Sequence, residues 1–134
     1  MKALIWHCKY FKIKNHKLFL NITIDQEPKN IEENNVIVPW ITIETQKDEK
    51  CFKKILKDII FLKERFNTNK VILTPFAHLS NKNADINISY EILNKLEIFL
   101  TKNNFNVTRV HFGSSKDTFF ESEADKYQVI FRSY

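Results

Sequence analysis

Glycine is almost missing from this chain. Gly113 is the single one in 134 residues, where ordinary usage of about 7% would give roughly nine. The one position free to take positive φ, or to let a ligand approach the backbone, is therefore worth locating. Proline is scarce too, so Pro28, Pro39 and Pro75 act as punctuation. The only cysteines, Cys8 and Cys51, have no metal-type spacing and read as plain core residues rather than a disulfide framework. No apolar run approaches the roughly 18 residues of a membrane-spanning helix. The opening MKALIWHCKYF lacks both a long apolar core and a small-residue cleavage site, so the expectation is a soluble, non-secreted, cytoplasmic protein. The N-x-S/T triplets at Asn21, Asn87 and Asn106 then carry no glycosylation meaning. There is no P-loop, no dinucleotide fingerprint, and no Ser/His/Asp or Cys/His signature. None of the four histidines has zinc-ligand spacing, so no metal is expected.

What is present is a foldable, basic chain. It is 43% hydrophobic with a net charge of +5, long enough for one domain with a sizeable core. The charge permits an anionic partner such as nucleic acid without demanding one. KALIWHC (2–8) reads as a strand. KLFLNITI (17–24) alternates with period two and reads as another. Residues 25–35 have loop chemistry. VIVPWITIE (36–44) reads as a strand at an edge, bulged, or interrupted where Pro39 cannot donate.

Thr45 and Asp48 form a capping box. Behind it Phe52, Ile55, Leu56, Ile59 and Leu62 predict a helix to about Asn67. KVILTPF (70–76) is a short buried strand, and Ile92, Leu93, Leu96, Phe99 and Leu100 mark a helix over 88–104. NVTRVHF (106–112) is a strand, and DTFFESE and YQVIFRS alternate like a closing hairpin. The order β-β-β-α-β-α-β-β-β predicts an α/β fold: a single domain, 1–134, with two helices packed on a mixed sheet.

Two loops lie where α/β sheets bind ligands: PFAHLS (75–80) and HFGSSK (111–116). His78 is either a group presented on the first loop or the polar end of a buried strand. Gly113 is either a close-approach position or a simple turn residue. His7 reads as a satisfied buried imidazole, His16 as a turn residue, and His111 as facing solvent or the sheet.

VILTPFAHLS, EILNKLEIFLTKNNFNV and HFGSSKDTF together resemble the archaeal-type N-terminal editing domain of threonyl-tRNA synthetase. That family carries P-F-A-H-L-S at a strand end and F-G-x-x-K in a later loop. LIWHCKY is similar to its opening. The resemblance covers nearly the whole chain and is weakest at 11–35 and beyond 117. It implies a D-aminoacyl-tRNA deacylase-like fold, a homodimer, and hydrolysis of serine wrongly attached to threonine tRNA, without metal or organic cofactor. The implied partners are the 3′ end of tRNA(Thr) and the synthetase's catalytic part, in cis or in trans, with no membrane and no DNA.

Carried over by position, Lys116 matches the catalytic lysine and His78 the histidine that reads the aminoacyl group. Pro75, Phe76 and Ala77 would meet the terminal adenosine, with Trp40 and Ile41 near the same nucleotide and Gly113 and Ser115 in the lysine's loop. Two departures stand out. Ser115 replaces the aromatic before the lysine, and Val129 falls where a lysine-orienting glutamate belongs, in a register supported by Arg132-Ser133. The family's G-H-P segment is absent. Glu121 or Glu123 would substitute if the last hairpin were shifted. The alternatives are a non-catalytic module for tRNA binding or dimerisation, and a D-aminoacyl-tRNA deacylase.

Overall fold

The computed structural model describes residues 1–19 and 25–134. Strand β1 (Lys2–Leu18) is followed by β2 (Ile31–Thr42), a 3-10 turn (Gln46–Cys51), α1 (Phe52–Phe66), β3 (Lys70–Pro75), α2 (Ile86–Lys102), β4 (Asn106–Arg109), β5 (Ser114–Glu121) and β6 (Val129–Ser133). The sheet runs β4-β3-β2-β1-β5, with β6 also on β1. β2–β3 and β3–β4 are parallel, and the pairs made by β1 are antiparallel. This is the mixed sheet with two helices that the patterning predicts.

The helices form where expected. Thr45 caps the 3-10 turn, its hydroxyl accepting from Lys47 N, while the Asp48 carboxylate accepts from Glu44 N at 2.7 Å. Asn67 then ends α1 in the left-handed conformation. Asp85 caps α2 by accepting from Asn87 N. Ile55, Ile59 and Leu62 of α1 and Ile92, Leu93, Leu96 and Leu100 of α2 bury against Ala3, Ile5, Ile37, Ile41, Val71 and Leu73 of the sheet. Leu96 is fully buried, so Leu96→Ala is expected to cost about 2–5 kcal/mol. Urea unfolding reads this as a lower midpoint at unchanged slope.

The opposite face carries a second cluster of Cys8, Phe11, Ile13, Val36, Val38 and Ile72, with Trp6 and Trp40 packed on it. Burial along β1 changes phase where His7 and Cys8 are both buried. Lys9 and Asn35 drop out of the ladder there, and Asn35 takes a φ of 48°.

Four expectations are corrected. The segments 2–8 and 17–24 are not two separate strands, because β1 runs unbroken from Lys2 to Leu18; residues 20–24 of the second lie outside the described residues. The stretch read as loop to residue 35 already pairs from Ile31, where Ile13 meets it. β2 is an interior strand. Pro39 keeps register with Ile5 on β1, while the β3 ladder skips from Ile37↔Val71 to Trp40↔Thr74, so of the three readings interruption on one side holds. Finally, β5 and β6 are not a hairpin. Both run antiparallel to β1, β5 on its C-terminal half and β6 on its N-terminal half, so they form one edge interrupted at 122–128.

Candidate active site

Parallel β2 and β3 end side by side, and a cavity of about 770 Å³ opens beyond their carboxyl ends. This is the expected ligand position in such a sheet. Its lining includes the residues that the resemblance assigns to catalysis and substrate binding: Trp40 and Ile41 from β2, Pro75, Phe76, Ala77 and His78 after β3, and Gly113, Ser115 and Lys116 from the second loop. The start of α2 closes one side through Ile86, Ser89 and Leu93.

The PFAHLS loop is fixed to β2. Phe76 N donates to Ile41 O at 2.9 Å, and the Thr42 hydroxyl donates to Phe76 O while accepting from Leu79 N. Ser80 is tied to Glu44. Phe76 packs between Trp40, with ring centroids 5.0 Å apart, and His78, edge-on at 5.3 Å. His78 is thus an exposed imidazole held against an aromatic wall, not the polar end of a buried strand.

The second loop turns on Gly113, whose φ of 91° is the positive value that glycine takes at least cost. Gly113 O also accepts from Phe19 N at 3.0 Å. Gly113→Val is expected to cost about 1–3 kcal/mol, seen as a lower melting temperature. Beyond the turn, Lys116 Nζ donates to His111 O at 2.8 Å. Burial pushes the Lys116 ammonium down to about 8, with Asp25 working against the shift. An ammonium so desolvated acts in a lower dielectric, where it stabilises a developing negative charge more strongly than it would in water.

Sequence reasoning missed the groups that hold this loop. Asp25 accepts from Nη1 and Nη2 of Arg109, each at 2.9 Å, from Phe112 N at 2.7 Å, and from the Tyr90 hydroxyl. Burial alone would raise the Asp25 carboxyl, yet Arg109 and the Phe112 N–H hold it down at about 2. Glu97 takes the Arg109 Nε. His16 is no turn residue. It lies in β1 at the register shift between Lys14 and Lys17 and meets Ser114 Oγ at 3.2 Å. His111 lines the cavity and meets the same hydroxyl at 2.9 Å. His7 is buried and bonded to Asn35, but its Nδ1 has no partner among the described residues.

The proposed carboxylate substitutes do not reach the lysine. Glu121 and Glu123 both pair with Lys9, and Glu121 lies about 16 Å along β5 from Lys116. Val129 pairs with Trp6, outside the cavity lining. Among the described residues, no group of three or more His, Cys, Asp or Glu side chains is gathered to hold a metal ion.

The architecture is a single α/β domain, two helices on a mixed six-stranded sheet. The chain matches the solved structure named c-Myc DNA Unwinding Element Binding Protein with a TM-score of 0.68 at 11% identity, covering 100% of this chain and 99% of that one. Such a likeness speaks for the fold alone. A family model described as the archaea-specific editing domain of threonyl-tRNA synthetase matches residues 1–130, and the chain belongs to that family. The threonine–tRNA ligase of Methanosphaera stadtmanae is 29% identical over 117 residues, 84% of this chain and 19% of that protein. The threonine–tRNA ligase editing subunit of Saccharolobus solfataricus is 34% identical over 85 residues, 63% of this chain and 22% of that protein. The chain spans about a fifth of the length of these relatives.

Proposed function

We propose that this chain is a proofreading ester hydrolase that removes serine from threonine tRNA. The observation carrying the proposal is the desolvated Lys116 ammonium facing the same cavity as His78 at the carboxyl ends of β2 and β3. The need for such an activity is physical. Serine lacks one methyl of threonine, and a missing methyl yields only about 1–3 kcal/mol of discrimination at a first site.

In this reading the terminal adenosine lies on the Trp40–Phe76 wall and along Pro75 and Ala77. His78 contacts the aminoacyl group, and Gly113 and Ser115 shape the floor beside Lys116. Lys116 stabilises the negative charge that grows on the ester carbonyl oxygen as water attacks, with the ribose hydroxyl assisting. The basic surface gives sequence-independent attraction to the acceptor stem. The whole chain, 1–134, acts as one editing unit in the cytoplasm, beside the synthetase's catalytic part in cis or in trans.

A second copy of the chain covers the sheet face that bears Trp6, Trp40 and Phe120. Supporting this, Phe120 is 41% exposed on that face, and its ring lies 5.2 Å from that of Trp6 and 5.8 Å from that of Trp40.

A non-catalytic tRNA-binding module is the second reading. It is favoured by Ser115 and Val129 at the family's aromatic and glutamate positions. Hydrolysis of D-aminoacyl-tRNA is an alternative drawn from the fold. Incubating the chain with L-Ser-, L-Thr- and D-aminoacyl-tRNA separates all three. Loss of L-serine only supports the proposal. Loss of the D-aminoacyl group moves the substrate, and binding without hydrolysis supports the module.

A further inference from the structure

Ser114 is buried, and its hydroxyl stands between two imidazoles, His111 Nδ1 at 2.9 Å and His16 Nδ1 at 3.2 Å. The two rings are 6.1 Å apart and nearly perpendicular. At the far end, His16 Nε2 lies 3.0 Å from Lys29 O. A carbonyl oxygen only accepts, and with both rings neutral this sets the direction of the whole chain. His16 Nε2 carries a hydrogen, so in the neutral ring His16 Nδ1 is an acceptor. Ser114 then spends its single proton on His16 Nδ1, and its oxygen accepts from His111 Nδ1–H. The His111 Nε2 lone pair is what remains, on a ring that lines the cavity and whose own carbonyl holds the Lys116 ammonium.

We propose that His111, Ser114 and His16 form a directed proton wire in which His111 takes the proton of the attacking water and the other two position it. The inference rests on the hydrolytic reading above. The water oxygen bonds to the ester carbonyl carbon as its proton passes to His111 Nε2. His111 Nδ1–H moves to Ser114 Oγ while the Ser114 proton moves to His16 Nδ1. The positive charge thereby leaves the neighbourhood of Lys116 and comes to rest on an imidazolium anchored by Lys29 O. The C–O bond to the ribose then breaks. The proton returns along the wire to the departing ribose oxygen, and all three side chains regain their starting states. The wire supplies an acid–base group in a chain that has Val129 at the family's glutamate position.

Charged groups face His111 from three sides: Asp25 from the segment before β2, His16 from β1 and Lys116 from β5. Burial, then Lys116 and His16, lower its pKa and outweigh Asp25 and a backbone hydrogen bond at Gln26, which raise it, so the environment favours the neutral ring.

Two measurements test this. Long-range ¹H–¹⁵N NMR of the free protein reads the tautomers, with no substrate needed. The wire requires His111 protonated at Nδ1, His16 protonated at Nε2, and loss of the His111 preference in Ser114→Ala. The opposite tautomers overturn it. Single-turnover deacylation across pH is the second. His111→Asn should lose about 10²-fold and flatten the acid limb, while Ser114→Ala and His16→Gln shift that limb. Unchanged pH profiles in all three variants overturn the wire and leave the hydrolase reading standing. An inactive wild type fails the hydrolase reading itself, and the wire as a catalytic device falls with it.

Discussion

Lys116→Met should reduce deacylation about 10²–10³-fold, the usual consequence of removing one donor to a developing oxyanion. It should not weaken the fold. The ammonium is held near pKa 8, against an ordinary 10.5, because burial penalises its charged form. Below pH 8 both folded and unfolded chains hold the proton, and the burial penalty is present in full. Between about 8 and 10.5 the unfolded chain binds a proton that the folded chain has lost, so wild-type stability rises with pH in that window. Methionine abolishes the penalty. At pH 7 the variant should unfold at a urea concentration no lower than wild type, and any advantage should narrow as pH climbs toward 10.5. A variant both inactive and markedly less stable would place Lys116 in the framework instead.

Asp25→Ala is the second large effect. Asp25 and Arg109 are both largely buried, with side chains 5% and 12% exposed. Removing the carboxylate strands the guanidinium and frees Phe112 N. Breaking such a pair costs about 3–5 kcal/mol, and the low end applies because Glu97 keeps its bond to the Arg109 Nε. Deacylation should fall as well, since Phe112 anchors the loop that carries Lys116. The pH dependence is specific. Asp25 is held at about 2, against an ordinary 3.8, so its stabilising contribution is complete above pH 4 and is lost as pH falls toward 2. Urea midpoints at pH 7 and pH 2.5 should differ less in the variant than in wild type. Equal differences would mean that Asp25 carries no such linkage.

The helices and the two site loops were legible because their signals are local. A 3.6-residue apolar period marks α1 and α2, and each loop's residues are contiguous. Period-two alternation identified β5 and β6 as strands but carries no information about partners, so two strands that share one neighbour read as a hairpin. Pro39 announced a broken ladder without saying on which side. The clamp and the histidine chain left no trace, because Asp25 meets Arg109 across 84 residues and His16 meets Ser114 across 98. Asp25 sits where loop composition predicts an idle acid, and His16 owes its direction to a register shift in β1 that no periodicity reveals.

The most direct test of the central claim is the single-turnover rate of amino-acid release from Ser-tRNA(Thr) and Thr-tRNA(Thr) by the unmodified chain. The account predicts rapid release of serine with threonine left in place. Release of neither above the spontaneous rate, with tRNA still bound, would contradict it and leave a binding module built on an editing fold.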